Sequence, residues 1–478
     1  MTVSARAQTL LVAVGQAVGS LVSLATIAWL ARVMPASELG VYLYFVAAAA
    51  ALEGLSDLGL RLHGVAALSS AGSPALRAGI LDALWRLKLV LSLVTVLVVL
   101  LAATGGWLQY ADGSTALVLA LVTVTLPSAS PVVWDARARG LQWLEATLLV
   151  GYRLLLLGTV MLADPRALDA GTVLVALLAT NVAFMVLLGA ARERRAVALP
   201  GSGVVRADHG ALLGAAAPFG ASLLVAQLAP RVWVLVLAAV ASSGEVATFS
   251  VAASILQTTL LVSVAAGAAY LPVLSRLAQG PPDQFRAVAG KLLETMALVG
   301  TMIAVGMALS SAGLVPALFG ERLRPAGTTL VALSLLPPVL LVSFTSRIVL
   351  GALGTGRADL VATVAGVGIG LVVAWVLYRP FGTGAMVAGY ATSEIVTCAA
   401  KLAALQHLRA VDASCIFRSL LRCAPAVLLA VGGGAVFAAT EPALLPAVLA
   451  GLGGVVAYAV MLALDPSLRA RGLRGLLP

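Results

Sequence analysis

Charged side chains are scarce in this chain. Of its 478 residues only 10% are Asp, Glu, Lys or Arg, while 61% are hydrophobic. A water-soluble domain carries about a quarter charged residues. Apolar runs long enough to cross a hydrocarbon core recur along the chain, and none alternates with the two-residue period of a barrel strand. Because helices satisfy their own backbone groups in lipid, we predict an all-α polytopic membrane protein.

Cysteine and histidine are also rare, with three residues of each. The cysteines lack metal-ligand spacing and the histidines form no cluster, so we predict no metal site. The chain has no G-x-x-x-x-G-K-[ST] motif and no soluble segment to hold a nucleotide. We therefore predict no cofactor and no ATP-driven step.

Fourteen apolar runs predict about 14 transmembrane helices. They lie near residues 8–30, 39–62, 81–104, 114–134, 141–163, 169–190, 210–240, 243–270, 290–312, 327–351, 359–378, 384–406, 418–438 and 443–464. The run at 210–240 is long and contains Pro230, which we expect to kink the helix. We also expect Pro337 and Pro338 to kink the span that contains them.

The net charge of +10 is carried by short connections, with no basic face on a soluble domain, so nucleic acid is not a predicted partner. With both termini in the cytoplasm, 22 of the 30 basic residues fall on the cytoplasmic side, five on the other side and three within spans. This is the asymmetry of the positive-inside rule. We predict a multi-pass protein of the inner (plasma) membrane. Only three basic residues are lysines, and Lys88 and Lys401 are counted as cytoplasmic.

A weak internal repeat divides the chain. Glu38 and Glu245 follow the first and seventh spans at an offset of 207 residues, each before a small and aromatic-rich helix start. Six spans per repeat make the two copies parallel. The predicted organisation has an N-terminal six-helix lobe, a cytoplasmic linker, a C-terminal six-helix lobe, and two additional helices with a basic cytoplasmic tail. Their ranges are 1–190, 191–208, 209–406 and 407–478.

Six segments stand out by their order and spacing along most of residues 8–406. They are LARVMPASELGVYLYF (Leu30–Phe45), LSDLGL (Leu55–Leu60), YLPVLSRL (Tyr270–Leu277), LVPALFGERLRPAG (Leu314–Gly327), LGALGTGRADL (Leu350–Leu360) and YRPFGTGAMVAGYATSE (Tyr378–Glu394). In this order and spacing they resemble the polysaccharide-export (Wzx-type) flippase family of the multidrug/oligosaccharidyl-lipid/polysaccharide exporter superfamily. One departure is Trp233, which stands near the position where the family often has an Asp after the arginine matched by Arg231.

The resemblance implies two six-helix lobes around a central cavity that opens alternately to each side. It implies a substrate that is an isoprenoid-diphosphate-linked oligosaccharide made at the cytoplasmic face, moved to the outer leaflet for cell-surface polysaccharide biosynthesis. Membrane lipid and glycan polymerase machinery are the further partners we expect on that basis.

Three arginines within the spans are candidate substrate-binding residues: Arg153, Arg231 and Arg347. The guanidinium fork pairs well with phosphate oxygens. A charge at mid-bilayer costs roughly 2.5–3.5 kcal/mol or more, so it usually faces a cavity or a partner. Arg153 is the deepest, about 18 Å from the start of its span, whereas Arg347 is near enough to a span end for its side chain to reach the interface.

Glu53, Asp57 and Glu394 are candidates for coupling to Na+ or H+. Glu53 and Asp57 are four residues apart on one helix face, and Glu394 lies seven residues before Lys401 on another. The alternative for each is an ion pair between helices, or an interfacial position for Asp57.

Other functions remain open on the sequence. A multidrug/cation antiporter or a lipid II flippase of the same superfamily is the alternative transporter, and fourteen spans favour the glycan flippase over twelve-span antiporters. A membrane-integral glycan polymerase or ligase is less favoured, because the outer connections are short and hold scattered charges. We therefore predict that the chain is not an enzyme and has no catalytic residues.

Overall fold

The protein folds into helices throughout the residues that the structure describes. The structure is a computed structural model, and it describes residues 5–125, 131–140, 142–196, 210, 212, 220, 224–440 and 450–455. The helices are α1 (Ala5–Val33), α2 (Ala36–Asp57), α3 (Leu60–Ser70), α4 (Pro74–Thr104), α5 (Gly113–Val124), α6 (Pro131–Ala138), α7 (Gln142–Leu162), α8 (Ala170–Ala196), α9 (Val232–Val240), α10 (Ser243–Thr258), α11 (Leu260–Leu277), α12 (Pro282–Phe319), α13 (Pro325–Leu333), α14 (Pro337–Ala352), α15 (Gly356–Phe381), α16 (Thr383–His407) and α17 (Ala413–Thr440).

Seven of these helices are long and apolar enough to cross a membrane, and a bent pair raises the number to eight. Both numbers concern only the described residues. The predicted class, an all-α polytopic membrane protein, is confirmed. The total of fourteen spans stays a prediction, since much of the spans predicted at 210–240 and 443–464 falls outside the described residues.

The chain divides into two compact units, residues 1–250 and 251–478. In unit 1, α1 packs along α7, while α2 contacts α4, α5 and α8. In unit 2, α12 contacts α13, α14 and α17, and α15 packs along α16. The predicted lobe boundaries stay a prediction, because most of the linker at 191–208 lies outside the described residues, as does most of the last predicted helix.

Proline breaks two helices where the sequence predicts kinks. The predicted span at 327–351 consists of α13 and α14, which meet at an angle of 55°. Pro337 is the first residue of α14, a position that proline tolerates because its missing N–H would be unpaired there in any case. In unit 1, a turn at Ala229–Arg231 precedes α9, as expected from Pro230.

Another break divides the span predicted at 39–62 and has no proline. Leu58 has φ of 39° and Gly59 has φ of 79°, both in the left-handed region. Glycine adopts this conformation without steric cost, whereas leucine does not. The helix therefore ends at Asp57 and a second helix, α3, begins at Leu60.

Glycine also permits the close packing of α15 on α16. A methyl group added to Gly366 would overlap the Thr397 hydroxyl and lie 2.6 Å from the Ser393 carbonyl oxygen. Gly368 lies two residues further along the same helix, and a methyl group there would meet nothing within 4 Å.

These two glycines form a matched pair for a stability test. We expect Gly366→Ala to destabilise the protein by about 1–3 kcal/mol, because the backbone of α16 must move away. Gly368→Ala should be neutral or slightly stabilising, since alanine has the higher helix propensity. Thermal unfolding of the purified protein in detergent measures both; equal midpoints for the two variants would contradict the close packing.

Candidate functional site

Arg153 lies on α7 and packs against α1. Its guanidinium covers Gly19, where an added methyl group would be 2.5 Å from Nη1 and 3.2 Å from Cζ. The side chain is partly buried, and its electrostatic neighbour is Tyr152. In the described part of the chain, no carboxylate forms an ion pair with Arg153. The charge on this guanidinium is therefore not cancelled by a described acidic residue.

Tyr152, the residue before Arg153, is buried near three polar side chains. Its hydroxyl lies within electrostatic range of Tyr42, Glu53 and Arg153, and its ring stacks edge-on against Phe184, with centroids 5.9 Å apart. Tyr152 thus links the arginine on α7 to the carboxylate that α2 contributes. The sequence analysis named Arg153 and Glu53 separately, and the structure brings them to one region of unit 1.

Arg231 is the last residue of the turn that precedes α9. Its carbonyl accepts hydrogen bonds from the N–H groups of Val234 and Leu235, at 3.1 and 3.2 Å, so it begins the helix. The residue is partly buried and has an interaction partner. Trp233 is fully buried, so the position at which the Wzx-type resemblance leads us to expect an acidic residue is part of the core here.

Four charged residues form what we call the unit 1 cluster: Glu53, Asp57, Arg61 and Lys88. Arg61 on α3 lies 3.9 Å from both carboxylates, with Nη1 on Glu53 Oε1 and Nε on Asp57 Oδ2. Lys88 on α4 is 5% exposed, and Glu53 and Asp57 are within its electrostatic range. Two cations and two anions make the cluster neutral overall.

The unit 1 cluster provides hydrogen-bond partners for backbone groups at the helix break at Leu58–Gly59. A helix end leaves carbonyl and N–H groups without partners inside the helix, and each such group costs several kcal/mol in hydrocarbon. The Lys88 ammonium donates to the Ser56 carbonyl oxygen at 3.0 Å and to Ser56 Oγ at 2.8 Å. On the other side of the break, the Arg61 N–H donates to Asp57 Oδ1 at 3.1 Å.

A second group, the unit 2 cluster, consists of Arg347, Asp359, Glu394 and Lys401. Asp359 on α15 bridges the two cations: its Oδ2 is 2.9 Å from Arg347 Nε on α14, and its Oδ1 is 2.8 Å from Lys401 Nζ on α16. The Arg347 guanidinium also lies 5.8 Å from the centre of the Phe344 ring. Arg347 is therefore neutralised by a carboxylate, in contrast to Arg153.

Glu394 is partly buried on α16, within electrostatic range of Lys401 and Arg347. No hydrogen bond or ion pair reaches its carboxylate from the residues that the structure describes. The expected proximity of Glu394 to Lys401 holds, but Asp359 rather than Glu394 takes the ion pair. The roles of Glu53, Asp57 and Glu394 in ion coupling stay predictions.

The sequence analysis missed Lys88 and Lys401 as site residues, because it counted both as cytoplasmic. The structure instead buries them, at 5% and 1% exposure. It also missed Asp359, which pairs with Lys401, and the serines that accept hydrogen bonds from the two lysines, Ser56 and Ser343. The available signal was position: both lysines fall inside the predicted spans, in a chain whose other basic residues are arginines apart from Lys291.

Taken together, the described polar groups offer two kinds of chemistry. The clusters balance charges inside each unit, which makes them stable in hydrocarbon. Arg153 offers an uncompensated, fork-shaped donor that can bind an anion through paired hydrogen bonds. The arrangement thus suits the binding of an anionic group.

Comparison with known proteins identifies the fold through solved structures. No family model matches the chain, and no curated protein matches it. The structure of the lipid II flippase MurJ in an inward closed conformation matches with a TM-score of 0.68 and 12% identity, covering 95% of this chain and 98% of that one. A Vibrio cholerae MATE transporter matches with 0.60 and 15%, covering 86% and 98%. An inward-facing multidrug resistance MATE transporter of the MOP superfamily matches with 0.59 and 15%, covering 84% and 96%.

The role of Lys88 can be tested by removing its ammonium. We expect Lys88→Met to destabilise the protein by about 3 kcal/mol, because the Ser56 carbonyl loses its charged donor and the cluster is left with net negative charge. The control is Lys291→Met, an exposed lysine on α12, which should change stability by less than about 0.5 kcal/mol. Unfolding midpoints in detergent measure both, and a small effect at Lys88 would show that the break needs no ammonium.

Proposed function

We propose that this chain is a flippase that moves an isoprenoid-diphosphate-linked oligosaccharide from the cytoplasmic to the outer leaflet by alternating access, for cell-surface polysaccharide biosynthesis. The observation that carries the proposal is Arg153, a guanidinium deep in an apolar helix without a described carboxylate partner. A diphosphate is an anion whose oxygens match the spacing of guanidinium donors.

The proposed division of labour follows from the charges. Arg153 contacts the diphosphate, with Arg231 as a second substrate ligand. Arg347 stays in the set of candidates as a weaker ligand, because its pair with Asp359 must open before it can bind phosphate. Sugar hydroxyls would be bound by neutral polar groups, and the lipid tail would stay in hydrocarbon.

The fold supports transport as the activity. Solved structures of the same fold include a lipid II flippase and MATE transporters, all at 15% identity or less. Likeness at this level concerns the fold, so the step from fold to substrate rests on Arg153 and on the Wzx-type segments in the sequence.

A lipid II flippase is the second candidate. It is favoured by the higher TM-score and wider coverage of the MurJ comparison, 0.68 over 95% of this chain against 0.60 over 86% for the Vibrio cholerae MATE transporter. The two candidates share an anionic lipid-linked glycan and differ in the sugar. Deleting the gene and identifying which lipid-linked glycan accumulates on the inner leaflet distinguishes them.

Drug/cation antiport is the remaining transporter function. It would use Glu53, Asp57 or Glu394 to couple transport to Na+ or H+. In that case a deletion strain becomes sensitive to cationic drugs and accumulates no lipid-linked sugar, which would reject the glycan flippase.

Arg153 variants test the proposal directly. We expect Arg153→Ala to reduce export of the glycan at least about tenfold, because a charge-assisted hydrogen bond to phosphate is worth about 1.5–3 kcal/mol. Arg153→Lys should keep part of the activity, since lysine supplies the charge without the fork. Arg231→Ala should also lower export. The measurement is the lipid-linked glycan left on the inner leaflet of a strain that expresses only the variant.

The control for Arg153 is Arg166→Ala, an exposed arginine in the turn that follows α7. It should leave export unchanged, and all variants should reach wild-type protein levels in the membrane. Full export with Arg153→Ala at normal protein level would eliminate Arg153 as the anion ligand.

The proposal places the chain in the inner membrane with both termini in the cytoplasm. We expect alkaline phosphatase fused within 191–208 to be inactive, since this enzyme needs the oxidising exterior for its disulfides. The same enzyme fused at Gly106, in the connection between α4 and α5, should be active. Reversed activities at the two fusion points would invert the orientation, and with it the direction of transport.

A further inference from the structure

The Lys401 ammonium lies among oxygen atoms from two other helices. Asp359 Oδ1 on α15 is 2.8 Å from Nζ, and on α14 Ser343 Oγ and the Ser343 carbonyl oxygen are 3.4 and 3.5 Å away. The lysine is 1% exposed. A carboxylate, a hydroxyl and a carbonyl are the ligand types that bare hard cations take in proteins.

An ammonium group resembles such a cation in charge and compactness. It is a point charge with three donors and no preferred plane, so it fits a set of oxygens that converge from different helices. A guanidinium is planar and forked, and the neighbouring Arg347 uses that shape at the other oxygen of Asp359, 2.9 Å from Nε. The two cations at Asp359 are therefore not interchangeable.

The same arrangement occurs in unit 1. The Lys88 ammonium is bonded to a serine through both its carbonyl oxygen and its hydroxyl, at 3.0 and 2.8 Å, with Asp57 in electrostatic range. Lys88 is on the third predicted span and Lys401 on the twelfth, so the two positions are not equivalent in the internal repeat. Of the three lysines in the chain, two thus lie in oxygen-lined sites, among 30 basic residues.

We propose that the Lys401 side chain is a tethered cation, occupying between α14, α15 and α16 an oxygen-lined site that would otherwise take a free monovalent cation. Because both cations of the unit 2 cluster are attached to the chain, the charges of Asp359 and Glu394 are balanced at any concentration of external ions. Unit 2 therefore needs no alkali ion at this site to be stable. This inference goes beyond the proposed function and holds whichever substrate the chain carries.

The test is to remove the ammonium and offer a free cation in its place. The purified full-length protein is unfolded thermally in choline chloride, sodium chloride or methylammonium chloride at equal ionic strength. In choline, whose quaternary ammonium is bulkier than the lysine ammonium and has no N–H donor, we expect Lys401→Ala to unfold roughly 5–10 °C below the wild type. Sodium or methylammonium should restore at least half of that loss, because a ligand that binds only the folded state stabilises it.

Two variants control for the space and the charge. Lys401→Met fills the space with an apolar side chain, so its midpoint should stay low in all three salts. In the double variant of Lys401→Ala with Asp359→Asn, the carboxylate is gone as well, and the response to sodium and methylammonium should disappear.

Two results would overturn the proposal. The first is a Lys401→Ala midpoint that is the same in choline, sodium and methylammonium, which shows that no cation site is vacated. The second comes from comparing the wild type with Lys401→Met: a midpoint that rises in sodium relative to choline in the wild type, and rises less in Lys401→Met, shows that the site binds a free ion beside the lysine. Since stability is the readout, neither result depends on whether the chain transports a glycan.

Discussion

The dominant constraint on this structure is that hydrocarbon offers no partner for a polar group. Every backbone group that leaves a helix and every charged side chain must find its partner within the protein. The helix break at Leu58–Gly59 illustrates the constraint. At this break the Ser56 carbonyl oxygen accepts a hydrogen bond from Lys88, and the Arg61 N–H donates one to Asp57. The charged cluster thus supplies the hydrogen-bond partners that the interrupted helix lacks.

The two clusters are both electrically neutral, but their charged groups have different partners. Each contains two cations and two anions, and each places a buried lysine on a serine of a neighbouring helix. In unit 1 the cluster stabilises the interruption between helices α2 and α3. In unit 2 it joins three helices, since Asp359 binds cations from both neighbours. Breaking such a cluster is costly because the remaining charge stays buried.

The sequence predicts the helical class and several breaks, but not the pairings. Composition alone excludes a soluble protein, and proline marks the breaks at Pro230 and Pro337, because it cannot supply an N–H inside a helix. Leu58–Gly59 has no such marker, since the left-handed conformation of a leucine is set by the packing around it. Gly366 is likewise one glycine among 47, and only its distance to α16 shows that its small size is required.

The candidate site was also predictable only in part, because the sequence shows which residues are charged but not how they pair. A charge inside a span can be recognised from the sequence, and Arg153, Glu53 and Glu394 were identified in this way. Whether that charge is paired depends on residues far away in the chain: Lys401 pairs with Asp359, 42 positions earlier. Counting Lys88 and Lys401 only toward orientation treated charge as a sign of exposure to water, whereas the structure buries both ammonium groups against oxygen atoms.

The paired cations give Arg153 its significance. Lys88, Arg347 and Lys401 show that this fold supplies oxygen partners to the cations in its apolar helices, in both compact units. Arg153 also lies within an apolar helix, packs on Gly19, and has a tyrosine rather than a carboxylate as its electrostatic neighbour. A charge without an opposite partner inside a span is energetically costly, and such a charge usually marks a functional site. An anion that enters with its own charge and oxygens would complete the balance that the other cations already have, and in the proposed function a diphosphate headgroup is that anion.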